Sequence, residues 1–388
     1  MFSHITKDFL GNKQSLSIGV AFVTIGFLVG NWATFIPFIK HKFDLDDGQL
    51  GLLLLSMPFG AVTMNSVAAW MIKKWGMKLT TFVGLILLLT SFALLLNAPY
   101  LPLMAFIMFL CGSGISITNV GMNTCVGAIE LHLGLKIMST CHGMFSLGLM
   151  MGSLASSFFG GLGWVPGLYM VGVSLFMSVF ALLALPNIVK IQDYDPDEIS
   201  HESSKFSFPK GSFLLMILIG ICINITEGSM TDWTAVYMRE IVQSNKYYEG
   251  WGLAGYSLFM AIGRLMGDRI VPIYGANKVL FFGAIIAITG IGIVILFPNT
   301  FTAILGFSMV GAGVSCGAPI LYASAARVPN MPKGSGLAVM NTFAMGGFLF
   351  GPVIIGFISK ALSLPMAFGL LAILGIVWML NARKVILY

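Results

Sequence analysis

Residues 142–152 read HGMFSLGLMMG, and 199 positions later residues 341–351 read NTFAMGGFLFG. The same displacement carries Gly112-Ser113-Gly114 onto Gly311-Ala312-Gly313. A displacement of 201 carries Asn31-Trp32-Ala33-Thr34 onto Asp232-Trp233-Thr234-Ala235. Three separate matches at nearly one offset, in a chain of 388 residues, describe two halves that run as parallel repeats.

Composition says what the halves are made of. The chain is 57% hydrophobic and only 9% charged, against about 25% charged in an average soluble domain. A soluble protein must cover its surface with charge, and this one cannot. A mean hydropathy of +0.92 with 46 Gly and 31 Phe suits helices that meet lipid on one side and pack closely on the other. Twelve helices of about 23 residues would use roughly 276 and leave about 110 for loops and tails. The expected fold is therefore an all-α membrane protein of twelve transmembrane helices in two six-helix pseudo-repeats. Soluble enzymes, nucleic-acid binders and disulfide scaffolds are excluded. No metal site or cofactor is expected, since the five Cys (111, 125, 141, 222 and 316) lie in apolar stretches without ligand spacing. The first apolar run, from about residue 16 to 39, is too long for a cleaved signal.

The expected spans are 16–39, 49–72, 78–97, 101–129, 138–161, 166–187, 211–238, 250–273, 278–297, 300–323, 334–359 and 364–382. Residues 188–210 hold Asp193, Asp195, Asp197, Glu198 and Glu202 among Lys and Ser. They read as a linker between an N-terminal bundle, 1–187, and a C-terminal bundle, 211–388. With the N-terminus inside, sixteen Lys and Arg fall on the cytoplasmic side and five on the other. Positive charge marks the cytoplasmic side, so both termini and the linker are expected there, in a bacterial inner membrane.

Six helices, a linker and six helices resembles the plan of the major facilitator superfamily over the whole chain. The stretches NWATFIPFIK, NVGMNTCVGAIE, CHGMFSLG and EGSMTDW look most like its fucose permease-like branch, which implies proton–sugar symport. That branch commonly carries a helix 4 carboxylate four residues before an Asn. Here the Asn is Asn123 and the carboxylate position holds Asn119, which cannot release a proton. The superfamily's loop 2–3 signature is degraded, with Ala69 at its first Gly and Lys73 at its Asp. The second-half equivalent keeps Arg264, Asp268 and Arg269, and the resemblance implies a conformational latch there; ordinary helix-end charges are the alternative. The Gly-Pro signature of drug–proton antiporters is missing from span 5, although a Gly351-Pro352 pair occurs in span 11.

Charge and polarity inside a span are costly and mark function or a wet cavity. Asn224, Glu227 and Thr231 share one face of span 7, and Asp232 and Trp233 follow. Glu227 and Asp232, with no basic residue on their own helix before Arg239, are the expected proton-coupling groups. A cap or an Arg239 partner is the plainer role for Asp232. Asn119, Asn123 and Glu130 form a stripe on span 4. Glu130 and His142 could relay a proton, or serve as an end charge and a packing ring. Asn31, Asn119, Asn123, Ser146, Asn224 and Asn341 are expected to hydrogen-bond a solute. Trp32 and Trp233, with Tyr256 and Tyr322, would stack on it or stand in an interfacial belt. Spans 1, 4, 5, 7, 10 and 11 carry no Lys or Arg away from their ends. Carriers of doubly charged anions generally need a buried cation, so neutral or cationic solutes remain.

The expectation is a secondary transporter, not an enzyme, moving a small neutral polar solute such as a sugar by alternating access. The sequence has no phosphate-binding loop, so ATP does not drive it. Its partners are then the solute, protons or Na+, and the bilayer, with no nucleic acid, and it works as a monomer. An exporter of amphipathic or cationic compounds is the alternative, and a non-transporting sensor a more distant one.

Overall fold

The computed structural model describes residues 9–193, 210–329, 331 and 335–387, apart from the side chain of Asp268. Most of the expected linker lies outside the described residues. The regular structure within them is helical. The helices are α1 Lys13–Thr34, α2 Ile36–Lys42, α3 Asp47–Leu54, α4 Ser56–Leu95, α5 Leu101–Leu133, α6 Met138–Gly161 and α7 Pro166–Ile188. After the linker come α8 Ser212–Glu240, α9 Trp251–Tyr274, α10 Ala276–Leu296, α11 Thr300–Val314, α12 Gly317–Ala325, α13 Ser335–Ala361 and α14 Leu364–Ala382.

Among the described residues, ten stretches are long and apolar enough to cross a membrane. One of them, Asp47–Leu95, has 49 residues. At 1.5 Å per residue it is about 73 Å long, more than twice a hydrocarbon core of about 30 Å. It is two spans, folded back at Gly76, whose φ of 78° is natural only to glycine. Helix α9 has the length of a span, 24 residues, but Arg264, Asp268 and Arg269 make it more polar than the ten. Twelve crossings result, as the sequence predicts.

Three expected spans are broken rather than continuous, at Phe35, Leu55 and Ser315-Cys316. Each break has a proline just beyond it. Pro37, Pro58 and Pro319 have no N–H to give to the carbonyls of Ala33, Leu54 and Ser315, four residues back.

The described residues fall into two compact units. Unit 1 comprises the chain to Leu45, Leu53–Pro196 and Asn245–Gly250; unit 2 comprises Asp46–Leu52, Asp197–Ser244 and Trp251–Tyr388. The short segments around residues 46–52 and 245–250 thus depart from a simple division at the linker.

Within unit 1, α1 and α6 approach closely because glycine faces backbone on both sides. A Cβ on Gly26 or Gly30 would run into the carbonyls of Phe145 and Leu149, and one on Gly148 or Gly152 into those of Val23 and Phe27. This is a reciprocal small-xxx-small contact. Within unit 2, Gly347 and Gly351 of α13 face Asn224 and Ile225 of α8, so the opening repeat plays the same packing part in both units. The correspondence extends to single contacts. Gly112 lies on the Met57 carbonyl and Gly311 on that of Tyr256, while Gly114 packs on Leu88 and Gly313 on Ala287. Every partner is displaced by the same 199 positions. All five cysteines are buried and free.

Candidate functional site

Unit 2 carries a cluster of buried polar groups, and its centre is an ion pair. Arg264 of α9 places a guanidinium nitrogen 3.5 Å from Glu227 Oε1 of α8. The two side chains are only 15% and 11% exposed. Around them stand Asn224 of α8, Tyr322 of α12 and Tyr256 of α9, the last within electrostatic range of both charges. The Tyr256 hydroxyl is buried with no hydrogen-bond partner among the described residues. Thr231, one turn along from Glu227, returns its hydroxyl to the Glu227 carbonyl.

The pair bears on two expectations. In the sequence Arg264 groups with Asp268 and Arg269 as a latch or as helix-end charges; in the structure its guanidinium reaches inward to Glu227. It also supplies the buried cation whose absence favours neutral and cationic solutes. That argument rests on spans 1, 4, 5, 7, 10 and 11, and the cation stands on span 8. Arg269 is exposed. Asp232 is half-buried and has no ion pair or hydrogen bond among the described residues, so the expected Arg239 partner is not found for it.

The remaining unit 2 candidates divide by exposure. Trp233 is 0% exposed, and its indole N–H finds no acceptor among the described residues. Asn341 stands on the exposed face of α13, and its amide donates to the Met345 sulfur at 3.9 Å.

In unit 1, Asn31 is fully buried. Its side-chain oxygen accepts from the Tyr169 hydroxyl at 2.6 Å, and its amide donates to the Phe27 carbonyl at 2.7 Å. It ties α1 to α7, with one donor and one acceptor site engaged. Trp32 beside it is 1% exposed. Asn119 and Asn123 are more open: the Asn123 amide donates to the Asn119 side-chain oxygen, Asn119 is exposed, and the Asn123 oxygen has no donor among the described residues.

Glu130 serves a helix end. Its Oε1 accepts from the backbone N–H groups of Ile137 at 2.7 Å and Met138 at 2.9 Å, where α6 begins. A carboxylate is well placed there, since the first N–H groups of a helix lack internal partners. The structure thus gives Glu130 a cap, in line with the helix-end role that the sequence also allows. His142 meets Phe22 edge to face at 5.4 Å, and Ser146 returns its hydroxyl to the His142 carbonyl at 3.3 Å.

A groove of about 280 Å³ also runs between α4 and α7 in unit 1. Its Thr81, Thr90 and Ser178 hydroxyls are all spent on backbone carbonyls of their own helices. The wall therefore offers hydrocarbon to its surroundings, with Lys78 at one end held by Asp193 at 3.0 Å.

Comparison with known proteins agrees with the twelve-helix plan. The family model of the Major Facilitator Superfamily matches residues 16–245 and 217–387. An uncharacterized MFS-type transporter of Yersinia pestis is 32% identical over 381 residues, which covers 97% of this chain and 96% of that protein. The membrane protein MosC of Rhizobium meliloti is 25% identical, covering 95% and 89%. Among solved structures, a D-xylose-proton symporter superposes with a TM-score of 0.78 at 13% identity, covering 96% of each chain. The nucleoside transporter NupG (D323A mutant) superposes with a TM-score of 0.74 at 12% identity, covering 96% and 99%. At such identities the likeness to solved structures is one of fold. The chain belongs to the Major Facilitator Superfamily.

Proposed function

We propose that this transporter moves a small polar solute of sugar size by alternating access, coupled to protons through Glu227. The observation that carries this reading is the buried Glu227–Arg264 pair, 3.5 Å apart among Asn224, Tyr256 and Tyr322. A carboxylate in a mostly apolar helix holds its charge only while its counter-charge stays in place. Binding or losing one proton there shifts the balance between states of the carrier by the difference in how each state compensates the charge. Asn224, on the same helix as Glu227, supplies a donor and an acceptor for solute hydroxyls. Asp232 is a second titrating group on the same helix.

The sequence stretches shared with the fucose permease-like branch support a sugar-like solute, and a relative in fold is a D-xylose-proton symporter. The charge asymmetry of the loops supports an inner-membrane protein with both termini in the cytoplasm, and the fold needs no second copy to work. Export of amphipathic cations is the second reading, favoured by Asp232, a half-buried carboxylate with no internal partner among the described residues.

Thermal stability of the detergent-purified chain, at pH 5.5 and 7.5, separates the readings. The panel holds D-xylose and other sugars, sugar acids, nucleosides and lipophilic cations. A ligand at about 100 times its dissociation constant adds roughly 2.7 kcal/mol to the folded state. Stabilisation by one sugar-like class is expected, dependent on pH in wild type and independent of it in Glu227→Gln. Stabilisation by lipophilic cations alone would overturn the sugar reading in favour of export.

A further inference from the structure

The groove between α4 and α7 has the length of one lipid chain in one leaflet. Its α4 wall runs from Lys78 to Thr90, about 18 Å at a rise of about 1.5 Å per residue. Its α7 wall runs from Ser178 to Ile188, about 15 Å. A hydrocarbon core of about 30 Å gives each leaflet about 15 Å. Lys78 stands just past Gly76, where α4 folds back, so it marks the surface end of its span. The end of α7 lies at the same level, since Asp193, shortly after it, pairs with Lys78 at 3.0 Å. The two walls therefore run antiparallel, from the membrane surface to about the bilayer midplane. Leu85, Leu89 and Ile188 are buried along the groove, while Ile86 and Leu182 are exposed.

We propose that this groove binds one anionic phospholipid. An acyl chain lies along the hydrocarbon wall, and the lipid phosphate takes the Lys78 ammonium in place of the Asp193 carboxylate. The site is separate from Glu227 and independent of the solute.

The exchange of partners at Lys78 is cheap. The Asp193 side chain is 73% exposed and that of Lys78 is 25% exposed. An ion pair so open to water contributes little, and the phosphate replaces one anion by another, so the lysine is never left without a counter-charge. Asp193, once released, is solvated where it stands. Lys190, exposed and two residues past Ile188, brings a second cation to the headgroup end.

Wall and lysine have different parts. In a bilayer every chain is hydrocarbon, so the wall does not prefer one lipid to another. It fixes where the chain lies, because its Thr and Ser hydroxyls are given to their own helices. Selection comes from charge: basic residues between spans at the membrane surface attract anionic headgroups. A zwitterionic phospholipid carries its own ammonium beside the phosphate and gains less from a lysine. A free phosphate ion has no chain for the wall to hold.

Native mass spectrometry of the full-length chain in an uncharged detergent tests the site. The probes are palmitoyl-oleoyl phosphatidylglycerol and the phosphatidylcholine with the same chains. The first phosphatidylglycerol is expected to bind about fivefold more tightly than the first phosphatidylcholine, the effect of one lysine at headgroup level. Lys78→Gln should remove most of that preference. Asp193→Asn, at an exposed position, should strengthen it by removing the competing anion. Phosphatidylglycerol with a photoreactive diazirine midway along one chain should label the groove walls, residues 81–90 or 178–188. Ala181→Phe, which fills the groove and leaves the charges in place, should abolish that label. Equal binding of the two lipids, or a preference untouched by both Lys78→Gln and Asp193→Asn, would overturn the role of Lys78. Label found only on other helices would overturn the groove as the place of the chain.

Discussion

Replacing Arg264 by leucine removes the counter-charge of Glu227 and leaves the carboxylate in place. At 3.5 Å and an effective dielectric of about 20, the lost attraction is about 5 kcal/mol. With side chains 15% and 11% exposed, little of it is screened by solvent. Desolvation already offsets part of the pair's attraction, so the expected loss is the about 3–5 kcal/mol seen when one partner of a buried pair is deleted. The double replacement Arg264→Leu with Glu227→Leu removes both charges and should recover most of that loss. Thermal unfolding in detergent reads both variants. The single variant should unfold well below wild type at pH 7.5, and by a smaller margin at a pH low enough to protonate a carboxylate. The double variant should lie close to wild type at both. A silent Arg264→Leu, or a double variant that loses the sum of its two single replacements, would refute the pairing on which the coupling scheme is built.

Other parts of the structure make their own predictions. Gly30→Val puts a branched side chain against the Leu149 carbonyl, so α1 and α6 must separate; the variant should lower the unfolding temperature and the yield of folded protein, while Gly172→Val, where no atom lies within 4 Å, should do neither. Glu130→Ala strips two N–H groups at the start of α6 of their acceptor and should cost about 1 kcal/mol, with Glu130→Asp or Gln recovering part of it. Asp46 accepts from the Gln49 backbone N–H and pairs with Lys360 at 2.9 Å; these hold its carboxyl below the ordinary value of 3.8. Its contribution to stability is therefore complete above that value and fades as pH falls through the lowered one. Carboxyl carbon NMR should show the Asp46 titration move back up in Lys360→Met, and no movement would remove Lys360 as a cause.

Much of this architecture can be read from the chain because it is written twice. Gly148 and Gly152 repeat as Gly347 and Gly351, and both pairs face the partner helix in their own unit. Glu227 also stands out, as a carboxylate in a span with few other charges. Its partner does not, because Arg264 lies 37 residues away on another helix, and register between helices is set by packing rather than by spacing. From its own span, Arg264 looks like an end charge. Glu130 is partly legible: it precedes α6 by a short loop, and a carboxylate so placed suits a helix start. Asn31 misleads for a different reason. Its repeat mate Asp232 has no partner among the described residues, whereas Asn31 is spent on Tyr169 and Phe27, and nothing in the local sequence distinguishes the two. The helix breaks at residues 35, 55 and 315 follow from Pro37, Pro58 and Pro319, a signal that hydropathy alone smooths over.

The most direct test of a carrier coupled through Glu227 is solute-dependent proton movement in sealed proteoliposomes, followed with a trapped pH dye. The solute is whichever compound stabilises the purified chain. With wild type, its addition should acidify or alkalinise the lumen in step with its own movement. With Glu227→Gln, exchange of labelled for unlabelled solute across the membrane should persist while the pH signal disappears. An undiminished pH signal in Glu227→Gln would contradict the assignment of the coupling proton to that carboxylate.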